Sequence, residues 1–190
     1  DMLTEKRNIP YDFEEIYVSY FSRMKCFACE YVLSEEDAEN IVQDVFTELW
    51  EKKELLTYNI NLVAFLFTSI KNRCIDHLRH NIVVREAVSQ MQEEYQITLK
   101  VKLASLELFD QSLLSEQDIE KIISEVINSL PDKCREIFIK SKIEGKKQKD
   151  IAVEMNISLK TVENQMNIAY KKLKSELKDY LPLLLFFLNN

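Results

Sequence analysis

The stretch that decides the fold is residues 148–173, QKDIAVEMNISLKTVENQMNIAYKKL. It predicts a helix, a tight turn and a second helix, because Asn156-Ile157-Ser158 interrupt the pattern and Ser158 is a good N-cap. Within the second helix the apolar residues recur at helical spacing: Val162, Met166, Ala169 and Leu173. The stretch therefore predicts a helix-turn-helix, which places its second helix in the major groove of DNA.

The outer face of the second predicted helix carries residue types that suit DNA recognition. Side-chain amides can pair bidentately with adenine edges, and lysines can hold phosphates. The candidate contacts with duplex DNA are Lys160, Thr161, Glu163, Asn164, Asn167 and Lys171. An ordinary αα-hairpin on a protein surface would show the same apolar pattern, so this stretch alone leaves that alternative open.

Composition favours an all-helical protein. The 190 residues include one glycine and three prolines, so helix breakers are rare. The net charge is −7 but uneven: residues 1–80 carry nine Lys/Arg and fifteen Asp/Glu, residues 81–130 four and nine, and residues 131–190 twelve and eight. The predicted helix-turn-helix thus lies in the only basic part of an acidic chain, which is the charge pattern expected for DNA binding.

The sequence offers no constellation for catalysis, for a metal or for a cofactor. One glycine cannot build a phosphate-binding loop, and the carboxylates fall at the spacing of helix surfaces. Cys26 and Cys29 form a C-x-x-C inside a helical pattern, without a second ligand pair at zinc-finger spacing. We therefore expect structural thiols, no enzymatic activity and no small-molecule substrate.

Helix signals divide the chain into two small helical domains and a tail. Ser34, followed by three acidic residues, is a strong helix start, and Leu130-Pro131 and Gly145 mark helix ends. The predicted units are a first domain at residues 1–80, a partly helical linker at 81–115, a second domain at 116–180 and an apolar tail at 181–190.

Several motifs then follow one another in the order typical of a known family. They are AENIVQDVF at 38–46 with Leu49-Trp50, AFLF at 64–67 leading to KNRCIDHLR at 71–79, LPDKCREIF at 130–138, and Lys149-Asp150-Ile151-Ala152 before the turn. With them the chain resembles the extracytoplasmic-function (ECF) sigma factors of bacterial RNA polymerase. The resemblance covers about residues 10–80 and 118–176. Glu163, Lys146-Lys147-Gln148 and the apolar tail depart from the family's usual pattern.

The resemblance implies partners and roles for particular residues. The second helix would bind the β′ clamp helices of core RNA polymerase, and the second domain would meet the β flap. The core-binding candidates are Gln43, Asp44, Thr47, Glu48 and Glu51. The third helix and the loop before it would bind the melted −10 element. Those candidates are Tyr58, Asn59, Lys71, Asn72, Arg73, Asp76 and Arg79.

These residues suit such roles chemically, although each also has a simpler interpretation. Asn72 could pair with a base edge, Asp76 could accept from a cytosine amine, and the Lys and Arg residues could hold phosphates. Tyr58 could stack on an unpaired base. Alternatively, the acidic ridge of the second helix is a solvated face, Asn72 a surface amide and Tyr58 a packing residue.

The resemblance predicts a transcription initiation factor that reads the −35 element as duplex and the −10 element as a melted strand. Its usual regulator would be an anti-sigma factor. Two rivals remain open: a stand-alone helix-turn-helix regulator that binds DNA without core polymerase, and a sigma-like adaptor that no longer initiates transcription. Glu163 and the negative net charge, which are unusual for a DNA-binding surface, are compatible with the adaptor.

The tail, residues 181–190, is the most apolar part of the chain. It is too short to span a membrane, which needs about 20 residues, and the sequence shows no secretory signal, so we expect a cytoplasmic protein. The tail could cover the chain's own domains, another copy or a partner. We expect packing on its own domains, with the consequence that removing residues 181–190 loosens the free protein and raises or preserves core binding.

Overall fold

The computed structural model describes residues 13–52, 60–88, 93–111 and 116–188. In this part of the chain the secondary structure is entirely helical, as predicted. The helices are α1 (Phe13–Val32), α2 (Glu35–Glu51), α3 (Ile60–Val88), α4 (Glu93–Gln111), α5 (Glu116–Asn128), α6 (Asp132–Phe138), α7 (Gln148–Glu154), α8 (Leu159–Glu176) and α9 (Leu181–Leu188), with a π-helical turn, Ile139–Ile143, after α6. None of the described helices is long and apolar enough to cross a membrane.

The first module consists of α1 to α4 around an apolar core. Ser34 caps α2 by accepting a hydrogen bond from the backbone N–H of Asp37, as the sequence predicts. The helix α1 packs along α2 and α3. Its buried face carries Ile16, Tyr20, Met24 and Phe27, at the spacing of a helical stripe. This arrangement turns the polar face of α2 outward.

The described part of the region predicted as a linker is helical and packs on the first module. Helix α3 continues past the predicted domain boundary at residue 80 and ends at Val88, because no glycine or proline interrupts this part of the chain. Helix α4 then packs back on α1 and α3, and its Leu99 and Leu106 are buried. The first module therefore extends beyond the predicted boundary at residue 80.

The second module consists of α5 to α8 and contains the helix-turn-helix. Arg135 joins α5 to α6: its guanidinium donates to the carbonyls of Ile127, Asn128 and Leu130, at 2.8 to 3.2 Å. The last carbonyls of a helix have no partner within that helix, so Arg135 satisfies the end of α5. This contact gives a physical reason for an arginine five residues after Leu130.

The two modules touch along α1 and α3. Helix α5 packs against α3. The carbonyl of Ile143, at the end of the π-helical turn, accepts from the Tyr20 hydroxyl at 2.6 Å, and that of Lys142 accepts from Arg23 Nη1 at 2.8 Å. Donors from the first module thus satisfy helix-end carbonyls of the second.

The apolar tail forms α9, which packs on α1, α4 and α8. Leu183, Leu184, Phe186 and Phe187 are all buried. The sequence leaves open three surfaces that the tail could cover. In the structure the tail packs on the chain's own domains. Because α9 contacts both modules, it is part of the junction between them.

Candidate nucleic-acid and polymerase interfaces

The turn of the helix-turn-helix is built by local backbone and capping contacts. Asn156 adopts a positive φ of 51°, a conformation that asparagine tolerates better than most residues. Ser158 then caps α8 by accepting from the backbone N–H of Thr161 at 3.0 Å. Beneath the turn, Ile151 and Ala152 of α7 and Val162 and Met166 of α8 are buried. These contacts fix α8 and leave its opposite face in solvent.

That solvent face contains the predicted contacts with duplex DNA. Lys160, Asn164, Asn167 and Lys171 are exposed, and Thr161 and Glu163 are half-buried. The Thr161 hydroxyl lies 2.8 Å from that of Ser158 and so belongs to the cap. Glu163 lies 3.3 Å from the Lys160 ammonium, which reduces the positive charge at the start of α8. Two amides between two lysines remain available to a DNA groove.

An ion-pair cluster holds α7 against the preceding turn. The carboxylate of Glu154 lies 2.7 Å from the ammonium groups of both Lys140 and Lys146. Hydrogen bonds from these two lysines lower the pKa of Glu154 to about 2. Sequence reasoning missed this cluster because the three residues share no spacing pattern. The cluster fixes the first helix of the helix-turn-helix and occupies two lysines of the basic segment.

The outer face of α2 carries the predicted polymerase contacts. Gln43, Asp44, Thr47 and Glu51 are exposed and Glu48 is half-buried. Arg73 of α3 lies 3.4 Å from both the Asp44 and the Glu48 carboxylates. The structure therefore brings a predicted DNA contact, Arg73, next to the predicted polymerase contacts. Exposed pairs of this kind contribute at most about 1 kcal/mol to stability, so a partner can replace them readily.

The exposed face of α3 presents the remaining described candidates for the −10 element. Asn72 and Asp76 are exposed. Arg79 is also exposed, but its guanidinium lies 2.9 Å from Glu107 of α4. Among the described residues no group of three potential metal ligands converges, and none of the four cysteines, all of which lie in the described ranges, forms a disulfide bond.

Comparison with known families adds to this geometry. The family model described as Sigma-70 region 2 matches residues 16–81, and the one described as Sigma-70, region 4 matches residues 120–173. The chain belongs to the sigma-70 family. The pairing of these two regions is typical of its ECF type. A search of curated proteins found no match. The chain is thus a sigma factor for transcription initiation that interacts with core RNA polymerase and promoter DNA.

Region 2 corresponds to α1–α3 and region 4 to α5–α8, and the structure corrects one of the residues assigned to region 2. Lys71 was predicted to hold a phosphate, but only 2% of its surface is exposed. It lies next to Ile70 and one turn after Phe67, both buried on α3, so it is on the buried side of the helix and its side chain cannot reach DNA in this conformation. Tyr58 and Asn59 lie outside the described residues.

Proposed function

We propose that this sigma factor reads two promoter elements with two separate helices. Helix α8 of region 4 would lie in the major groove of the −35 duplex, and α3 of region 2 would bind the melted −10 strand. The observation that carries the proposal is the exposed face of α8, where Asn164 and Asn167 lie between two lysines on a helix whose other face is buried. Amides select adenine and lysines hold phosphates.

The proposed docking surface for polymerase is the acidic ridge of α2. Its exposed carboxylates would attract a basic helical surface, such as the β′ clamp helices that the family implies. Region 4 would meet the β flap, and an anti-sigma factor would control the free protein. The chain itself would be non-catalytic, because its part is to position polymerase and open DNA.

Transcription from a library of promoters randomised at both elements would test the reading of DNA. We expect the sequenced transcripts to come from templates with a preferred −35 sequence and a preferred −10 sequence, separated by a fixed spacing. A stand-alone regulator would bind duplex DNA and give no transcript with core polymerase. A non-initiating adaptor would bind core polymerase and also give no transcript.

Two matched charge reversals would test polymerase docking. Asp44→Arg changes a carboxylate that is 67% exposed on α2, and Glu125→Arg changes one that is 66% exposed on α5. We expect Asp44→Arg to weaken binding to core polymerase at least tenfold, because it places like charges together, and Glu125→Arg to leave it unchanged. Equal affinities for both variants and the parent chain would exclude α2 as the docking surface.

A further inference from the structure

The tail helix α9 connects region 2 to region 4 through a continuous set of aromatic contacts. The ring of Phe186 lies 5.6 Å from that of Phe27 in α1 and 5.5 Å from that of Phe67 in α3, centroid to centroid. The next residue, Phe187, lies 5.9 Å from Phe138 in α6. Two adjacent residues of the tail therefore pack on different regions of the sigma factor.

The tail is attached to region 4 but inserted into region 2. Only a short turn separates α8 from α9, and backbone hydrogen bonds from Tyr180 to Leu177 and from Leu184 to Tyr180 keep it ordered. Leu183 and Phe186 are completely buried. If region 4 moves away from region 2 with α9 attached, Phe186 must leave the space between Phe27 and Phe67.

A second contact between the two regions lies on the same helix, α1. Tyr20 and Arg23 donate to the end of the π-helical turn. Two residues after that turn, the only glycine of the chain, Gly145, is in contact with Ser19: a Cβ at residue 145 would lie 2.6 Å from the Ser19 hydroxyl. Region 4 thus contacts one side of α1, and the tail contacts the same helix one to two turns closer to its C-terminal end.

This closed arrangement leaves both reading surfaces accessible but holds them too close together. Asn72 and Asp76 on α3 are exposed, and so are Asn164 and Asn167 on α8. The two elements are named for their positions, −10 and −35, which differ by 25 base pairs. At 3.4 Å per base pair this separation is about 85 Å of DNA. A globular chain of 190 residues has a radius of gyration of about 16 Å, hence a diameter of about 42 Å. The closed protein cannot contact both elements at once.

We propose that α9 is an intramolecular clamp that holds region 4 against region 2 in the free sigma factor and must be released before both promoter elements can be read. The clamp rests on the proposed reading of two elements. Polymerase would favour the open form by binding it more tightly than the closed form, which is the only way in which a ligand shifts such an equilibrium. Release of the tail would then be the step that couples polymerase binding to promoter recognition.

Two substitutions on α9 compare the buried contact between the regions with an exposed position of the same helix. Phe186→Asp places a charge at the fully buried position between α1 and α3. Leu181→Asp introduces the same residue at a position that is 50% exposed, and it serves as the matched control. Deletion of residues 181–190 is a second variant that leaves no released apolar tail. All three are made in the otherwise full chain.

Small-angle scattering and circular dichroism of the free proteins would test the clamp. We expect Phe186→Asp and the deletion to raise the radius of gyration from about 16 Å to about 25 Å, the value for two compact halves whose centres lie about 45 Å apart, with helix content kept. The control should stay near 16 Å. An unchanged radius in both variants would overturn the proposal. So would a loss of helix content in both, since α9 would then be part of the fold.

Transcription from a promoter selected in the randomised library would connect the clamp to function. We expect the two open variants to reach half-maximal transcription at a core polymerase concentration at least threefold lower than that of the control. Unchanged or weaker transcription from open variants would overturn a regulatory role for the clamp. If the parent chain transcribes no promoter, the proposed function fails, while the scattering result still decides whether α9 holds the regions together.

Discussion

Gly145→Ala should separate region 4 from region 2 at their contact on α1. Gly145 has a φ of +68°, and it ends the helical segment at the point of contact with Ser19. An added Cβ would overlap the Ser19 Cβ and lie 2.6 Å from the Ser19 hydroxyl. The Ser19 hydroxyl could rotate away, but the Ser19 Cβ is fixed by the helix backbone and can move aside only if α1 is displaced.

The expected loss of stability has two parts. Alanine in the left-handed region costs roughly 1 kcal/mol. Forcing an extra carbon into an occupied contact costs typically about 1–3 kcal/mol more. Gly145→Ala should therefore lower the free energy of unfolding by about 2–4 kcal/mol. Ser19→Gly alone should cost about 0.5 kcal/mol, because glycine is a poorer helix former than serine.

A double-mutant cycle isolates the cost of the overlap between the new methyl group and Ser19. Urea denaturation followed by circular dichroism would give the free energy of unfolding for the parent chain, both single variants and the double variant. We expect a favourable coupling of about 1–3 kcal/mol, because Ser19→Gly removes the Cβ that the new methyl group meets. A coupling below about 0.5 kcal/mol would mean that residues 19 and 145 are not in contact in solution, and the closed arrangement would be refuted.

Three further predictions concern region 4 and its contact with α1. Asn164→Ala should relax base preference at one position of the −35 element by about 1–3 kcal/mol, whereas Lys171→Ala should weaken all sequences alike; filter binding at several salt concentrations distinguishes these effects. Glu163→Lys should strengthen binding to every duplex and steepen its salt dependence, since it also frees Lys160; an unchanged slope would exclude a phosphate near residue 163. Burial and then the charge of Arg23 lower the pKa of Lys142 to about 7. Between pH 7 and its ordinary pKa of 10.5 the unfolded chain therefore binds more protons, so stability rises with pH, by about 1 kcal/mol from pH 7 to pH 8. Urea titrations should show that the rise in stability from pH 7 to pH 8 is about 1 kcal/mol smaller in Lys142→Met than in the parent chain.

Local signals explain what could be predicted from the sequence. Ser34 and Ser158 mark helix starts because their side chains satisfy free N–H groups, and both caps are present. Gly145 marks a helix end because the backbone there has a positive φ. The helix-turn-helix follows from apolar spacing within 26 residues of sequence. Each of these features depends on neighbours along the chain, which a single sequence displays.

Features that depend on distant parts of the chain were missed. The hydrogen bond from Tyr20 to Ile143 joins residues 123 positions apart, and no local sequence pattern predicts it. Lys71 was predicted to be a surface cation, but it is buried. The boundary of the first domain was placed too early, at residue 80, because the residues around Arg79 are polar, although polarity alone does not break a helix. The tail was predicted to be buried, but its contacts with particular residues could not be read from its composition.

The junction between the two regions combines strong apolar burial with polar groups that favour opening. Phe186 and Leu183 would lose their apolar surroundings when the regions separate, which favours the closed form. Arg23 and Lys142 act in the opposite direction, because both are buried and burial lowers the pKa of each. Opening returns these cations to water and recovers hydration that the closed form lacks. A junction made only of apolar side chains would have no such gain, so the two buried cations reduce the free-energy difference between the closed and open forms.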